Sequence, residues 1–168
     1  VADGGRHVLT SDRYNSHSPA FTPDGRWLYF LSEREFNATP GAPWGDRNMG
    51  PMFDRRTRIY ALALQPGNRF AFQPPTELRD IDPAIDADVP EKEAERAEEA
   101  KEAGGGRHPR IAVAGLAERL YEVPVDAGNY RALAAGDKQL FVLDQSSRTG
   151  AMPVLRSIAY RAERARIE

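Results

Sequence analysis

The clearest pattern along the chain is a pair of apolar runs separated by a turn. Residues 18–22 lead into Pro23-Asp24-Gly25, and the unbroken apolar run 27–31 follows. Asp-Gly between apolar runs is typical of a β-hairpin, because glycine adopts positive φ without steric cost. The second run does not alternate between apolar and polar residues, which indicates a strand with both faces covered. We therefore predict a hairpin of residues 18–22 and 26–32 that lies between two layers.

The same order of elements occurs a second time downstream. A third strand is predicted at residues 58–64, after the first hairpin. From Tyr130 onward a strand, a Gly136-Asp137 turn, an apolar strand at 140–143 and a third strand at 154–160 follow. Shorter strands are predicted at residues 6–10, 70–72, 110–113 and 119–125. Repeated sheet units that cannot bury both faces alone are typical of β-propeller blades. The sequence thus predicts an all-β fold of about two four-stranded blades of a larger propeller.

Residues 80–109 interrupt this pattern with a change in composition. The segment is acidic at first and then rich in Ala, Glu and Lys, with Pro90 where a helix could begin and a run of three glycines, residues 104–106, where it would end. Alanine is its only apolar residue type at helical spacing, so we expect a solvated insertion, disordered or partly helical, rather than a partner-binding helix. The predicted divisions are 1–79, the end of one blade plus one full blade; 80–109, the insertion; and 110–168, the next blade, incomplete.

Composition narrows the classes of protein that fit. The 168 residues carry a net charge of -2 with a pI near 6.0, unlike the strongly basic surface of a nucleic-acid-binding domain. Without cysteine, the chain has no disulfide framework, thiolate zinc site or cysteine nucleophile. No apolar run is long enough to span a bilayer, and the first residues lack a signal-peptide pattern. The first residues read as a turn before a strand, and the last residues stop short of a natural boundary, so we expect a segment of a longer protein.

Catalytic and metal chemistry find little support in the sequence. Of the three histidines only His17, within Asn-Ser-His-Ser-Pro, has hydroxyl neighbours, and no Gly-x-Ser-x-Gly motif accompanies it. We interpret His17 as a polar turn residue rather than a catalytic base. The acidic run around Asp80–Asp88 lacks the glycine and distal glutamate of a calcium loop. We predict no metal and no cofactor.

Short charged pairs are the better candidates for binding. Arg13 follows Asp12, while Arg55 and Arg56 follow Asp54. Such pairs commonly hold loops together through carboxylate–guanidinium bonds. The alternative is that an arginine at a channel mouth binds the carboxylate terminus of a peptide. We favour the structural role, and keep Arg13, His17, Arg55 and Arg56 as candidate binding residues.

Several stretches together resemble one family. "SDRYNSHSPAFTPDGRWLYFLSER", "PWGDRN", "MFDRRTRIYALAL" and "GLAERLYEVPVDAGNY" occur in that order and resemble the tricorn protease homologues, large serine peptidases with two β-propellers, a PDZ domain and a catalytic α/β core. The resemblance covers nearly the whole chain except about residues 86–106. The first stretch alone is also similar to TolB-like and prolyl-oligopeptidase propellers.

The resemblance implies a parent that cleaves short peptides, with propellers acting as access or exit channels. The nucleophilic serine and its histidine partner would lie beyond this segment, so no catalytic residue is assigned here. The expected partners are peptide substrates, other domains of the same chain and further copies in a homo-oligomer, with no nucleic acid or membrane. The expected location is the cytoplasm, or the periplasm if the parent carries a signal peptide. The alternative function is a TolB-like protein-binding module with no peptidase.

Overall fold

The computed structural model describes residues 8–10, 13–37, 53–73, 111–147 and 150–161. Within these ranges the strands are β1 (Ser16–Phe21), β2 (Trp27–Glu33), β3 (Thr57–Ala63), β4 (Leu120–Glu122), β5 (Tyr130–Ala135), β6 (Gln139–Asp144) and β7 (Val154–Ala159), and a 3-10 helix occupies Leu116–Arg119. The strands form a four-stranded sheet in the order β1-β2-β3-β4 and a three-stranded sheet in the order β5-β6-β7. Neighbouring strands in both sheets are antiparallel.

The turn of the first hairpin forms where the sequence predicts it. Gly25 adopts a φ of 67°, and its N–H donates to the carbonyl oxygen of Thr22 at 2.9 Å. The Asp24 carboxylate accepts the Arg26 N–H at 3.0 Å, which holds the turn from inside. β1 then pairs with β2, and the pairing is interrupted by a bulge between His17 and Ala20.

Strand β2 is buried on both faces, as its unbroken apolar run predicts. Trp27, Tyr29 and Leu31 belong to a cluster that includes Leu140, Val142 and Ile158 of the second sheet. On the opposite face, Leu28 and Phe30 pack with Tyr60, Leu62, Leu64 and Leu116. The side chains of β2 therefore alternate between an inter-sheet core and a second core on the far face of the first sheet.

The two sheets follow one plan. Leu28 pairs with Leu62 in the first sheet, and Leu140 pairs with Ile158 at the corresponding place in the second. Each first strand is also preceded by an asparagine, Asn15 or Asn129. The carbonyl of each accepts an N–H from the end of the second strand. This repetition is the arrangement expected of successive propeller blades.

Strand β4 is held to β3 by a short ladder and by one carboxylate. It has three paired positions with β3, and Glu122 at its end accepts a hydrogen bond from Arg58 at 2.7 Å and another from Tyr60 at 3.0 Å. The predicted strand at 119–125 is therefore too long. Arg119 belongs to the 3-10 helix, where its guanidinium donates to three backbone carbonyls, and Pro124 has no N–H to continue a ladder.

Other predicted short strands are absent where the structure describes them. Phe70 and Phe72 lie in a turn, and their rings are buried against Trp27 and Tyr160 instead of forming an edge strand. Residues 111–113 do not form a strand. They lie near the end of β3, where the Ala112 N–H donates to the Leu64 carbonyl. Residues 8–10 are likewise not strand. Residues 6–7 and 80–109 lie outside the described residues, and with them the predicted insertion.

Substitutions on the two faces of β2 test this double burial. Phe30→Ala should lower the free energy of unfolding by about 3–5 kcal/mol, and Leu31→Ala by about 2–5 kcal/mol, because each removes a large side chain from a different core. Phe21→Ala is the control, since Phe21 is 47% exposed, and should cost less than about 1 kcal/mol. Urea unfolding measures all three. If either β2 variant proves as mild as the control, one face of the strand is not a core.

Candidate functional site

A polar cleft opens between the two sheets at one end. It lies where β1, β3 and β5 begin and where β2 and β6 end, and its volume is about 750 Å³, within the range of about 300–1,000 Å³ typical of ligand pockets. Both sheets contribute side chains to its lining. Those used below are His17, Glu33, Arg56, Asn129, Arg131 and Gln145.

Positive charge predominates in the described lining of the cleft. Two of those residues are arginines, Arg56 and Arg131, and one is a carboxylate, Glu33. An Arg56 nitrogen lies 3.1 Å from a Glu33 oxygen, with the Arg56 side chain half exposed. This pair ties the end of β2 to the start of β3 and leaves Arg131 as a cation on the other wall. A cleft in which cationic side chains outnumber anionic ones favours a ligand that carries a carboxylate.

Hydrogen bonding assigns the tautomer of His17. The Ser18 hydroxyl donates its single proton to the Arg131 carbonyl oxygen at 3.1 Å. The Nδ1 atom of His17 lies 3.1 Å from the same hydroxyl oxygen, so Nδ1 must carry the proton that bridges them. In this tautomer the lone pair of the imidazole is on Nε2. This network joins β1 to β5 across the cleft.

The same network argues against nucleophilic catalysis by Ser18. An activated hydroxyl gives its proton to a base, whereas Ser18 gives its proton to a backbone carbonyl and accepts one from His17. Ser18 also has a φ of 52° at the bulge of β1, which aims its side chain at the second sheet. The described residues contain no group of three side chains suited to holding a metal ion. No helix among them has the length and apolar character needed to cross a bilayer.

An amide side chain joins the sheets at the edge of the cleft. Asn129 donates to the Asp54 carboxylate at 2.7 Å and accepts the Arg55 N–H at 2.9 Å. The hydrogen bond from Asn129, followed by one from Ser147, holds the pKa of Asp54 below its ordinary value of 3.8. Next to this link, Thr57 and Gly128 exchange two backbone hydrogen bonds of 3.0 Å.

The structure separates the four candidate residues named from the sequence. His17 and Arg56 both line the cleft, on the first sheet. Arg55 contributes its backbone N–H to Asn129, while its side chain is 74% exposed and lies 3.9 Å from Asp54. Arg13 is exposed and is not among the described residues that line the cleft. The binding role of the four residues stays a prediction.

Sequence reasoning missed Asn129 and Arg131, although a signal was present. Asn15 and His17 open β1 at the same spacing at which Asn129 and Arg131 open β5. Once the repeat is recognised, the position of His17 in one copy indicates the position of Arg131 in the other.

The Asp54–Asn129 link should make stability depend on pH. Because the folded pKa of Asp54 is lowered, its contribution is present above the ordinary value of 3.8 and is lost as pH falls through the lower folded value. Asn129→Ala should therefore cost about 1 kcal/mol at neutral pH, and the carboxylate-dependent part of that cost should disappear in acid. NMR titration of the Asp54 carboxyl should show its pKa moving up toward 3.8 in the variant. An unchanged Asp54 pKa would refute the link.

The geometry of Ser18 and His17 predicts a protein without peptidase activity of its own. The full 168-residue chain should not hydrolyse fluorogenic peptides, because the Ser18 hydroxyl gives its proton to a backbone carbonyl and His17 does not act on it as a base. The measurement is turnover of a mixed peptide library by repeatedly purified protein. Turnover that persists through purification and is abolished by His17→Ala, with folding intact, would contradict this interpretation.

Comparison with known proteins gives one line of support for the fold. No family model matches the chain, and no curated protein matches it by sequence. Among solved structures it is similar to the crystal structure of the tricorn protease, with a TM-score of 0.57 and 16% sequence identity. The alignment covers 95% of this chain and 14% of that chain. The chain thus has a tricorn-like fold whose two antiparallel sheets are propeller blades.

Proposed function

We propose that this chain is a non-catalytic propeller segment of a tricorn-like serine peptidase that degrades short peptides. In this proposal its work is to shape a substrate or product channel and to dock other domains, while the catalytic residues lie elsewhere in the parent. The cleft at the starts of β1 and β5 carries the proposal. Its walls offer two guanidinium groups, and the hydroxyl of Ser18 is not activated as a nucleophile.

The cleft suits a peptide's carboxylate terminus better than its interior. A guanidinium group can donate two parallel hydrogen bonds to a carboxylate, a geometry that an uncharged peptide bond does not match. Arg56 already lies 3.1 Å from Glu33, so Arg131 is the cation proposed to receive the carboxylate. The amide groups of Asn129 and Gln145, both lining residues, are proposed to contact the peptide backbone.

Peptide titration followed by NMR tests this proposal. A tetrapeptide with a free carboxylate terminus should shift the backbone resonances around His17, Arg131 and Gln145, whereas the same peptide with an amidated terminus should bind about tenfold more weakly. Arg131→Gln should remove most of that difference. Arg26→Gln is the matched control, because Arg26 is exposed at the other end of β2.

Two results would count against the proposal. Equal affinity for the acid and the amide would show that no carboxylate is recognised in the cleft. A loss of binding in Arg26→Gln as large as in Arg131→Gln would show only a general attraction between the protein's cations and an anionic peptide.

A further inference from the structure

A second, smaller pocket lies at the opposite end of the sheets from the cleft. It is bounded by the β1–β2 turn and the β5–β6 turn and has a volume of about 190 Å³. Three aromatic residues, Trp27, Tyr29 and Tyr160, form its floor, and Asp24 and Asp137 stand at its rim on the two turns. Tyr29 and Tyr160 stack with their ring centroids 5.9 Å apart.

One polar group in the floor is not used by the fold. The Tyr29 side chain is 1% exposed, yet none of the hydrogen bonds between described residues involves its hydroxyl. In the described part of the chain, no fully buried side-chain nitrogen or oxygen lacks a hydrogen-bond partner. The Tyr29 oxygen therefore reaches the surface at the pocket that it lines. A phenol in this position has a free lone pair to offer a ligand.

The side chains of Tyr160 and Asp24 also offer acceptors around the pocket. The Tyr160 hydroxyl donates to the Gly136 carbonyl at 3.2 Å, so its oxygen can accept from the pocket. One oxygen of Asp24 is occupied by Thr22 and by the Arg26 N–H, and the other lies 4.0 Å from the exposed Arg26 side chain. Besides burial, the negative charge of Asp24 raises the pKa of both tyrosines, and Asp137 adds to the effect on Tyr160. Both phenols thus stay neutral.

From this arrangement we infer that the pocket binds a primary ammonium group, from a lysine side chain or from a chain's amino terminus. An ammonium group has three donors and no acceptor, which matches the acceptors that the pocket offers on two carboxylates and two phenol oxygens. The faces of aromatic rings attract such a cation further. The inference concerns the opposite end of the molecule from the cleft and does not depend on the proposed function.

Other cations fit the pocket less well. A guanidinium group prefers both oxygens of one carboxylate, and one oxygen of Asp24 is already occupied by the turn. A metal ion would need several protein ligands, and no group of three candidates exists among the described residues. The two separate carboxylates, one on each turn, therefore suit a compact, hydrogen-bonding organic cation.

Binding can be measured on the full chain with small amines. N-acetyl-lysine methylamide carries a side-chain ammonium, norleucine methylamide carries only an α-ammonium, and N-acetyl-norleucine methylamide carries neither. Chemical-shift titration at constant ionic strength should give saturable shifts for the first, the second or both, at Thr22, Trp27 and Gly136. The neutral analogue should give none, and the stronger of the two amines identifies the source of the ammonium.

Substitutions in the smaller pocket test whether the amines bind there. Asp137→Asn and Tyr29→Phe should each weaken amine binding by about fivefold, because each removes one acceptor and leaves the ring packing intact. Glu118→Gln, an exposed carboxylate on the 3-10 helix, should leave it unchanged. The dispersion of the amide spectrum confirms that each variant folds.

Four outcomes would overturn the inference. They are equal shifts from the neutral analogue, equal shifts from potassium chloride, tighter binding of N-acetyl-arginine methylamide, and affinity that is unchanged by both pocket variants. The first would make the pocket apolar, the second a general cation effect, the third a guanidinium site, and the fourth would place the amine elsewhere.

Discussion

Burial of the facing apolar surfaces of the two sheets is the interaction on which the rest of the structure depends. Tyr29 and Leu31 of β2 are almost fully buried in a cluster that also contains Leu140, Val142 and Ile158 of the second sheet. Burying one such side chain contributes roughly 1.5–3 kcal/mol, and neither sheet could bury these faces alone. Because the two sheets pack through these residues, the polar ends of their strands come together at both ends of the interface. The cleft lies at one end of the interface and the smaller pocket at the other.

Gly128 connects the packing of the two sheets to the position of the cleft. A Cβ atom on Gly128 would lie 2.5 Å from the ring of Tyr130, closer than atoms can approach. The ring is 4% exposed, and its hydroxyl donates to the Asp126 carbonyl at 2.8 Å. Burial raises the pKa of Tyr130 to about 12, so this hydroxyl remains a donor across the neutral range. Gly128 also exchanges two backbone hydrogen bonds with Thr57. These bonds position the backbone that leads into Asn129.

The sequence is informative where structure is set locally and uninformative where it is set by distant packing. The Asp24-Gly25 turn and the double burial of β2 follow from residues adjacent in the chain. The aromatic run at 70–72 satisfies strand propensity, but its rings find more burial against Trp27 as a turn. The sequence predicts that Asp54 pairs with Arg55 and Arg56. The structure keeps a long contact of 3.9 Å between Arg55 and Asp54, and adds a shorter hydrogen bond of 2.7 Å from Asn129, which is distant in sequence and becomes a neighbour only when the sheets pack.

The late position of β4 in the chain has a consequence for how the protein folds. β1, β2 and β3 form a meander, in which each strand pairs with the next strand along the chain. A longer connecting segment separates β2 from β3 than separates β1 from β2. β4 pairs with β3 only after Leu62 and Leu120, which are distant in the chain, have come together. Closing a long loop costs entropy before any contact is made, and such non-local pairings slow folding. The outer edge of β3 therefore remains open during synthesis, at the stage when an unpaired strand is most prone to pair with another chain.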